Sequence, residues 1–264
     1  MEDSEPILAA NEIGKRFGGL VALQDYSLAL RPGDLVGLIG PNGAGKTTAF
    51  NLMTGVLAPT SGRLAVRGAD MTGRPPHRFA ESGVARTFQN VRLFADLSVL
   101  ENVMAGLHMR HGSGMVATLL ALPGFRRSER EIAEKARGIV EMLGLGHLAD
   151  ERAMDLSYGD QRRVEIARAM ATEPRALLLD EPAAGMNASE TEDLLRLVGR
   201  INGDLGIAVL VVEHDMSLVM RLCRRIQVLD RGRFLAEGTP QDIQADADVV
   251  AAYLGTRRGG GARA

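Results

Sequence analysis

Leu35-Val36-Gly37-Leu38-Ile39-Gly40-Pro41-Asn42-Gly43-Ala44-Gly45-Lys46-Thr47-Thr48 decides how this chain folds. Its first five residues form a short apolar run, the pattern of a strand buried on both faces in a parallel sheet. Gly40 to Thr47 then match G-x-x-x-x-G-K-[ST], and a helix is expected to begin near Gly45. The strand, loop and helix in that order give the pattern its meaning. Its glycines let backbone N–H groups converge on phosphate oxygens, and the helix N-terminus adds about half a positive charge. Lys46 supplies a cation for the β- and γ-phosphates, and the Thr47 hydroxyl is placed to ligate Mg²⁺. The stretch predicts a site for a nucleoside triphosphate.

The sheet pattern continues on both sides. Ile7 to Ile13, Ala22 to Leu30 and Arg63 to Gly68 read as further strands, with a turn at Arg31-Pro32-Gly33-Asp34. Downstream, Ala176 to Asp180, Ile207 to Glu213 and Ile226 to Asp230 are apolar strands, with helices expected at about 188–204 and 215–224. This alternation argues a parallel α/β core. From Val99 to Ala171 the period becomes helical, with Ile132, Ala136, Ile139, Val140 and Leu143 three and four residues apart. The core is therefore expected over about 7–95 and 174–254, a helical subdomain over about 96–173, and a frayed tail over 255–264.

Three acid–base candidates fall at strand ends. Asp180 closes an apolar strand, which would hold its carboxylate near the metal, through water. Glu181 follows and would orient the attacking water, a role worth about 10²- to 10⁴-fold in rate. His214 follows the strand that ends at Glu213 and would neighbour the Asp180 strand, within reach of the γ-phosphate. His77, His108, His111 and His147 lack such a context and read as surface or structural residues. Cys223 reads as a small buried apolar residue.

Composition narrows the classes. The 264 residues are 45% hydrophobic and 24% charged, with 31 basic and 33 acidic side chains and a net charge of −2. No global field recruits nucleic acid or anionic lipid. One cysteine excludes an intrachain disulfide and fits a reducing compartment. Met1 to Pro6 lack the apolar stretch of a signal peptide. The apolar run Met115 to Leu122 is far short of the ~20 residues that span a bilayer, so a membrane role must come through a partner.

Together these motifs resemble the nucleotide-binding subunit of ATP-binding cassette transporters, over about residues 7–254. The resemblance implies a P-loop NTPase (RecA-like) parallel-sheet core, an N-terminal antiparallel β-subdomain and an inserted α-helical subdomain. It makes Gly40 to Thr48 (Gly40, Pro41, Asn42, Gly43, Ala44, Gly45, Lys46, Thr47, Thr48) the Walker A loop, with Leu177 to Asp180 as Walker B and Glu181 as the catalytic glutamate. His214 becomes the switch histidine, and Gln89, in Arg86-Thr87-Phe88-Gln89, the glutamine of the Q-loop that reaches Mg²⁺. Phe17 falls at the aromatic that stacks on adenine, where base stacking is worth about 1–3 kcal/mol. Leu156-Ser157-Tyr158-Gly159-Asp160 corresponds to the family signature, in which Ser157 and Gly159 would face ATP held by a second subunit. Tyr158 and Asp160 replace the usual Gly and Gln there, and Met186 and Asn187 stand where Leu and Asp are usual.

A narrower likeness is to the first of the two ATP-binding subunits of branched-chain amino-acid importers. It rests on Val84 to Phe94, Leu156 to Arg163, Glu181 to Asn187 and the stretch Gly238 to Gly255; an insert at 107–128 reads either as subgroup helix or as loop. The resemblance implies ATP and Mg²⁺ as ligands and a second, non-identical ATPase subunit as partner. It further implies two transmembrane permease subunits and an extracytoplasmic binding protein, with no nucleic acid. The expected place is the cytoplasmic face of the bacterial inner membrane, peripherally. An importer of urea, short amides or other amino acids stays open, as does a soluble cassette ATPase.

Overall fold

The computed structural model describes residues 4–89, 91–111 and 123–257. These divide into two compact units, one holding the chain through Arg86 with 175–182 and 198 onward, the other holding 87–174 and 183–197. Both sheets belong to the first unit.

Its smaller sheet is antiparallel, in the order β2 (Leu20–Leu30), β1 (Leu8–Phe17), β4 (Ser61–Val66), β5 (Ala69–Asp70). The larger runs β10 (Arg233–Gly238), β9 (Arg225–Asp230), β3 (Leu35–Ile39), β8 (Ala208–Val212), β7 (Ala176–Asp180), β6 (Val84–Arg86). Five of these strands are parallel, and β10 pairs antiparallel at one edge. Strands β3, β7 and β8 are buried at every position, which explains their unbroken apolar sequences. Helices α1 (Lys46–Met53), α2 (Pro76–Glu81) and α7 (Met216–Leu222) belong to the same unit.

One glycine shows how tightly sheet and helix approach. A Cβ on Gly37 of β3 would lie 2.4 Å from Val219 Cγ1 and 3.2 Å from Cys223 Sγ. Cys223 is the small buried residue its sequence suggested, and burial pushes its thiol up to about 12. Several buried polar side chains in this unit are paired. The Tyr26 hydroxyl donates to Gln227 Oε1 at 2.7 Å, and Gln227 Nε2 donates to Glu237 Oε2 at 2.7 Å. Asn202 Nδ2 donates to the carbonyls of Gly33, Asp34 and Ile207, fixing the turn that feeds β3.

The second unit is built on α3 (Val99–His111), α4 (Pro123–Met142), α5 (Tyr158–Met170) and most of α6 (Ala188–Gly203). Ser98 and Glu101 cap α3 reciprocally, each side chain bonding the other's backbone N–H. Asn187 and Glu190 do the same for α6, so Asn187 serves as an N-cap as Asp would. Helices α8 (Pro240–Ala245) and α9 (Ala247–Arg257) follow the larger sheet, and α9 runs past Leu254, where the sequence reading ended the domain. The strands β5, β6 and β10 and the helices α2 and α8, short and none of them an unbroken apolar run, escaped the sequence reading. Asn90, the part of the expected insert at 112–122 and the tail from 258 lie outside the described residues.

Candidate functional site

The loop between β3 and α1 forms one wall of a cleft of about 470 Å³, lined by residues 42–48, Leu20 to Ala22, Glu181, Arg231 and Gly232. Two glycines make the loop possible. A Cβ on Gly40 would lie 2.1 Å from the Leu229 carbonyl oxygen, and Gly45 takes φ 100 with its would-be Cβ 2.8 Å from the Ala22 oxygen. Any side chain at either point collides with backbone. Pro41 and Ala44 are buried, whereas Asn42, Gly43 and Thr47 are exposed to the cleft side of the loop.

Lys46 is the first residue of α1 and only 7% exposed. Its Nζ donates to the carbonyls of Gly40 at 2.6 Å and Pro41 at 3.0 Å. An ammonium has three donors, so one remains beyond the two that brace the loop. Burial lowers the Lys46 pKa, and Glu181, Asp180 and Glu213 act against that in the order named.

Those acids come from strand ends. Asp180 closes β7 and is 4% exposed. Glu181 leaves the strand with φ 44, a left-handed conformation that costs a non-glycine residue about 1–3 kcal/mol, and its N–H is held by the Val212 carbonyl at 2.8 Å. Arg231, also on the cleft, is left-handed at φ 46. His214 follows β8 and is exposed, with Nδ1 3.7 Å from Glu181 Oε1 and 3.7 Å from Glu213 Oε2. Asp215 then caps α7 by accepting from the Ser217 N–H at 2.8 Å, which with the Ser217 hydroxyl holds its pKa down.

Phe17 ends β1, opposite Leu20 in the hairpin, and its ring is 46% exposed with Lys15 Nζ 5.3 Å from its centre. The cleft itself is bordered on that side by Leu20, Val21 and Ala22, which the sequence reading did not single out. Glu213 was also missed. Its signal was the same as that of Asp180, an acid ending an apolar strand. Of the other histidines, His77 and His147 are exposed and His108 faces Glu129 at 3.6 Å, while the His111 side chain lies outside the described residues.

Gln89, Ser157 and Gly159 lie in the second unit. Ser157 caps α5: its Oγ accepts from the Asp160 N–H at 3.1 Å and donates to Asp160 Oδ2 at 2.8 Å. Arg163 Nη1 pairs with Asp160 Oδ1 at 3.0 Å, balancing the acid that replaces glutamine. Gly159 is buried, and a Cβ there would lie 2.7 Å from the Glu190 side chain. The Tyr158 ring lies where a Cβ on Gly185 would be 3.2 Å away, with the Arg162 guanidinium 5.5 Å from its centre. Gln89 is exposed, and its backbone carbonyl accepts from Arg162 Nη2.

Among the described residues, no group of three or more His, Cys, Asp or Glu side chains could hold a metal by itself. The Thr47 hydroxyl and the Asp180 carboxylate are oxygen donors of the kind Mg²⁺ takes, one or two from the protein with water and phosphate oxygens completing its shell. Also among the described residues, no helix is long and apolar enough to cross a membrane.

Comparison with known proteins agrees with this geometry. The ABC transporter family model matches residues 23–184, and the model for branched-chain amino acid ATP-binding cassette transporters matches 235–258. The high-affinity branched-chain amino acid transport ATP-binding protein LivG of Salmonella typhimurium is 46% identical over 96% of this chain and 99% of its own. A crystal structure of an ABC-transporter cassette in its ADP conformation superposes with a TM-score of 0.83 at 34% identity, covering 96% of this chain and all of that one. A dimeric cassette in a post-hydrolysis state, bound to ADP and Pi, gives a TM-score of 0.73 at 26% identity, over 88% of this chain and 98% of that one. With a family model over more than half its length and a close relative matched almost throughout, the chain belongs to the ABC transporter family.

Proposed function

We propose that this chain is the ATP-hydrolysing subunit of an importer of branched-chain amino acids, lying on the cytoplasmic face of a bacterial inner membrane. Its partners would be a second, non-identical ATPase subunit, two transmembrane permeases and an extracytoplasmic binding protein. The observation that carries the ATPase reading is the convergence of Lys46, Asp180, Glu181 and His214 around the P-loop. The substrate class rests on the C-terminal match at 235–258 and on the likeness to LivG.

In this reading the backbone N–H groups of 42–48 and the Lys46 ammonium hold the triphosphate. Phe17 stacks on the base. Thr47, Gln89 and, through water, Asp180 would hold Mg²⁺, which when bound neutralises phosphate charge. Glu181 accepts a proton from the attacking water as its oxygen bonds to the γ-phosphorus, and the bond to the β-γ bridging oxygen breaks with its electron pair leaving on ADP. His214, 3.7 Å from Glu181, steadies that carboxylate and the γ-phosphate. Ser157 and Gly159, at the positive end of α5, complete the site of the partner subunit rather than this chain's own. The permeases would dock on the second unit, where Phe94, Leu97 and Met154 are exposed apolar side chains near Gln89 in sequence or in backbone pairing.

The test is reconstitution in proteoliposomes of the complex that copurifies with this chain from detergent-solubilised membranes. ATP-dependent uptake of leucine, isoleucine or valine is expected. Uptake of urea or short amides alone would assign a sibling importer, and copurification with ribosomes or DNA would overturn the transport reading.

A further inference from the structure

Helix α5 carries a buried ion pair that the nucleotide chemistry above does not use. Arg162 and Glu165 stand three residues apart with side chains 2% exposed, joined by Nη1 and Oε2 at 2.9 Å. Both reach the backbone of the segment that bears Gln89. Arg162 Nη1 donates to the Phe88 carbonyl at 2.5 Å, and Nη2 donates to the Gln89 carbonyl. In return, the Phe88 N–H donates to Glu165 Oε1 at 3.1 Å. Three backbone polar groups of two consecutive residues are thus held by one pair of side chains.

Stability is a poor reason for such a pair. Desolvating two charges offsets most of their attraction, and well-packed apolar substitutes of similar volume are often neutral or stabilising. Burial indeed pushes the Glu165 carboxyl up, with the Phe88 N–H and the Arg162 guanidinium acting against it. What apolar side chains cannot supply is the fork of charge-assisted hydrogen bonds, which fixes direction as well as distance. The planar guanidinium suits two adjacent carbonyls, and the carboxylate suits the Phe88 amide that precedes them.

We propose that Arg162 and Glu165 are positioning residues that set the backbone of Phe88 and Gln89 and couple it to the helix headed by Ser157. The functional part rests on the reading above, in which Gln89 reaches the metal and Ser157 the partner's nucleotide. It deepens that reading: a shift of Gln89 is transmitted to Ser157 through a buried hydrogen-bonded clamp and one helical turn, not through a loose loop. The signature element and the Q-loop of this chain then answer to each other within one unit.

The deciding variant is Arg162→Met with Glu165→Leu, which keeps volume and removes every bond of the clamp. Hydrogen–deuterium exchange on the full chain should speed at the Phe88 amide by about tenfold while the melting temperature holds. In the reconstituted assembly, turnover should fall by about tenfold with ATP affinity unchanged, and adding Gln89→Ala should cost nothing further. Unchanged exchange at Phe88, or losses that multiply with Gln89→Ala, would overturn the proposal. Should the double variant not fold, Glu165→Gln keeps the shape with a weaker acceptor, and a several-fold rise in Phe88 exchange is expected, with no rise overturning it. If Gln89→Ala alone leaves turnover intact, the assigned role of Gln89 fails, whereas the exchange result still decides the clamp.

Discussion

In the strand-rich unit, Asp180, Glu181 and Glu213 are placed by the ends of β7 and β8, so the backbone itself aims them. In the helical unit, Arg162 and Glu165 are placed by each other and in turn hold the backbone of Phe88 and Gln89. The first arrangement makes a site whose charges are positioned by strand ends. The second makes the backbone depend on side chains, so a displacement on one side is felt on the other. Chemistry is assigned to the unit whose geometry the sheet sets, and communication to the unit whose geometry two side chains set.

Substitutions can break this contrast at its strongest point first. Glu181→Gln should lower turnover by about 10²- to 10⁴-fold while ATP binding stays intact, read by phosphate release beside nucleotide titration. Equal turnover would remove Glu181 as the base. Lys46→Ala removes a buried cation and its braces on Gly40 and Pro41, so calorimetry should find ATP affinity weaker by about 10- to 100-fold. Retained affinity would mean that the loop backbone alone holds the triphosphate.

Ser157 sharpens the comparison from the other unit, because it caps α5 and is proposed to face the partner's nucleotide. Ser157→Ala should lower stability by about 0.5–2 kcal/mol, and Ser157→Gly by only a few tenths. Both should impair the partner's site equally in a mixed pair. If the damage tracked stability instead, the cap alone would explain the residue.

The smallest effect concerns pH. Asp215 has a folded pKa below its unfolded value of about 3.9, so its stabilising contribution is complete above that value. It fades as pH falls through the lower folded value. Melting curves of the chain and of Asp215→Asn should therefore differ at pH 7 and converge in strong acid. A gap that persists there would assign the stabilisation to something other than the charge.

Much of the catalytic cleft is legible in the chain because each part is local. Gly40 to Thr48 carries its strand, loop and helix within one stretch, and Asp180-Glu181 and Glu213-His214 each end an apolar run. Less legible were the short elements. Val84 to Arg86 is a strand only because β7 lies beside it, pairing Val84 with Ala176 and Arg86 with Leu178. Leu20 to Ala22 and Arg231 border the cleft through the pairing of distant segments, as when the Gly232 N–H donates to the Ala44 carbonyl at 3.0 Å.

The amino-acid order alone therefore determined the phosphate loop, the acids and histidine that follow the strands, and the signature with its Ser157 cap. Those features depend on neighbours a few residues away, and hydrogen bonding and sterics at that range are written in the local sequence. Only the tertiary structure decided that Arg162 and Glu165 grip Phe88 and Gln89 across more than seventy residues of chain, or that Tyr158 packs where Gly185 leaves room. The reason is physical. A buried charge is stable only against partners that folding brings to it, and no periodicity or spacing names those partners in advance.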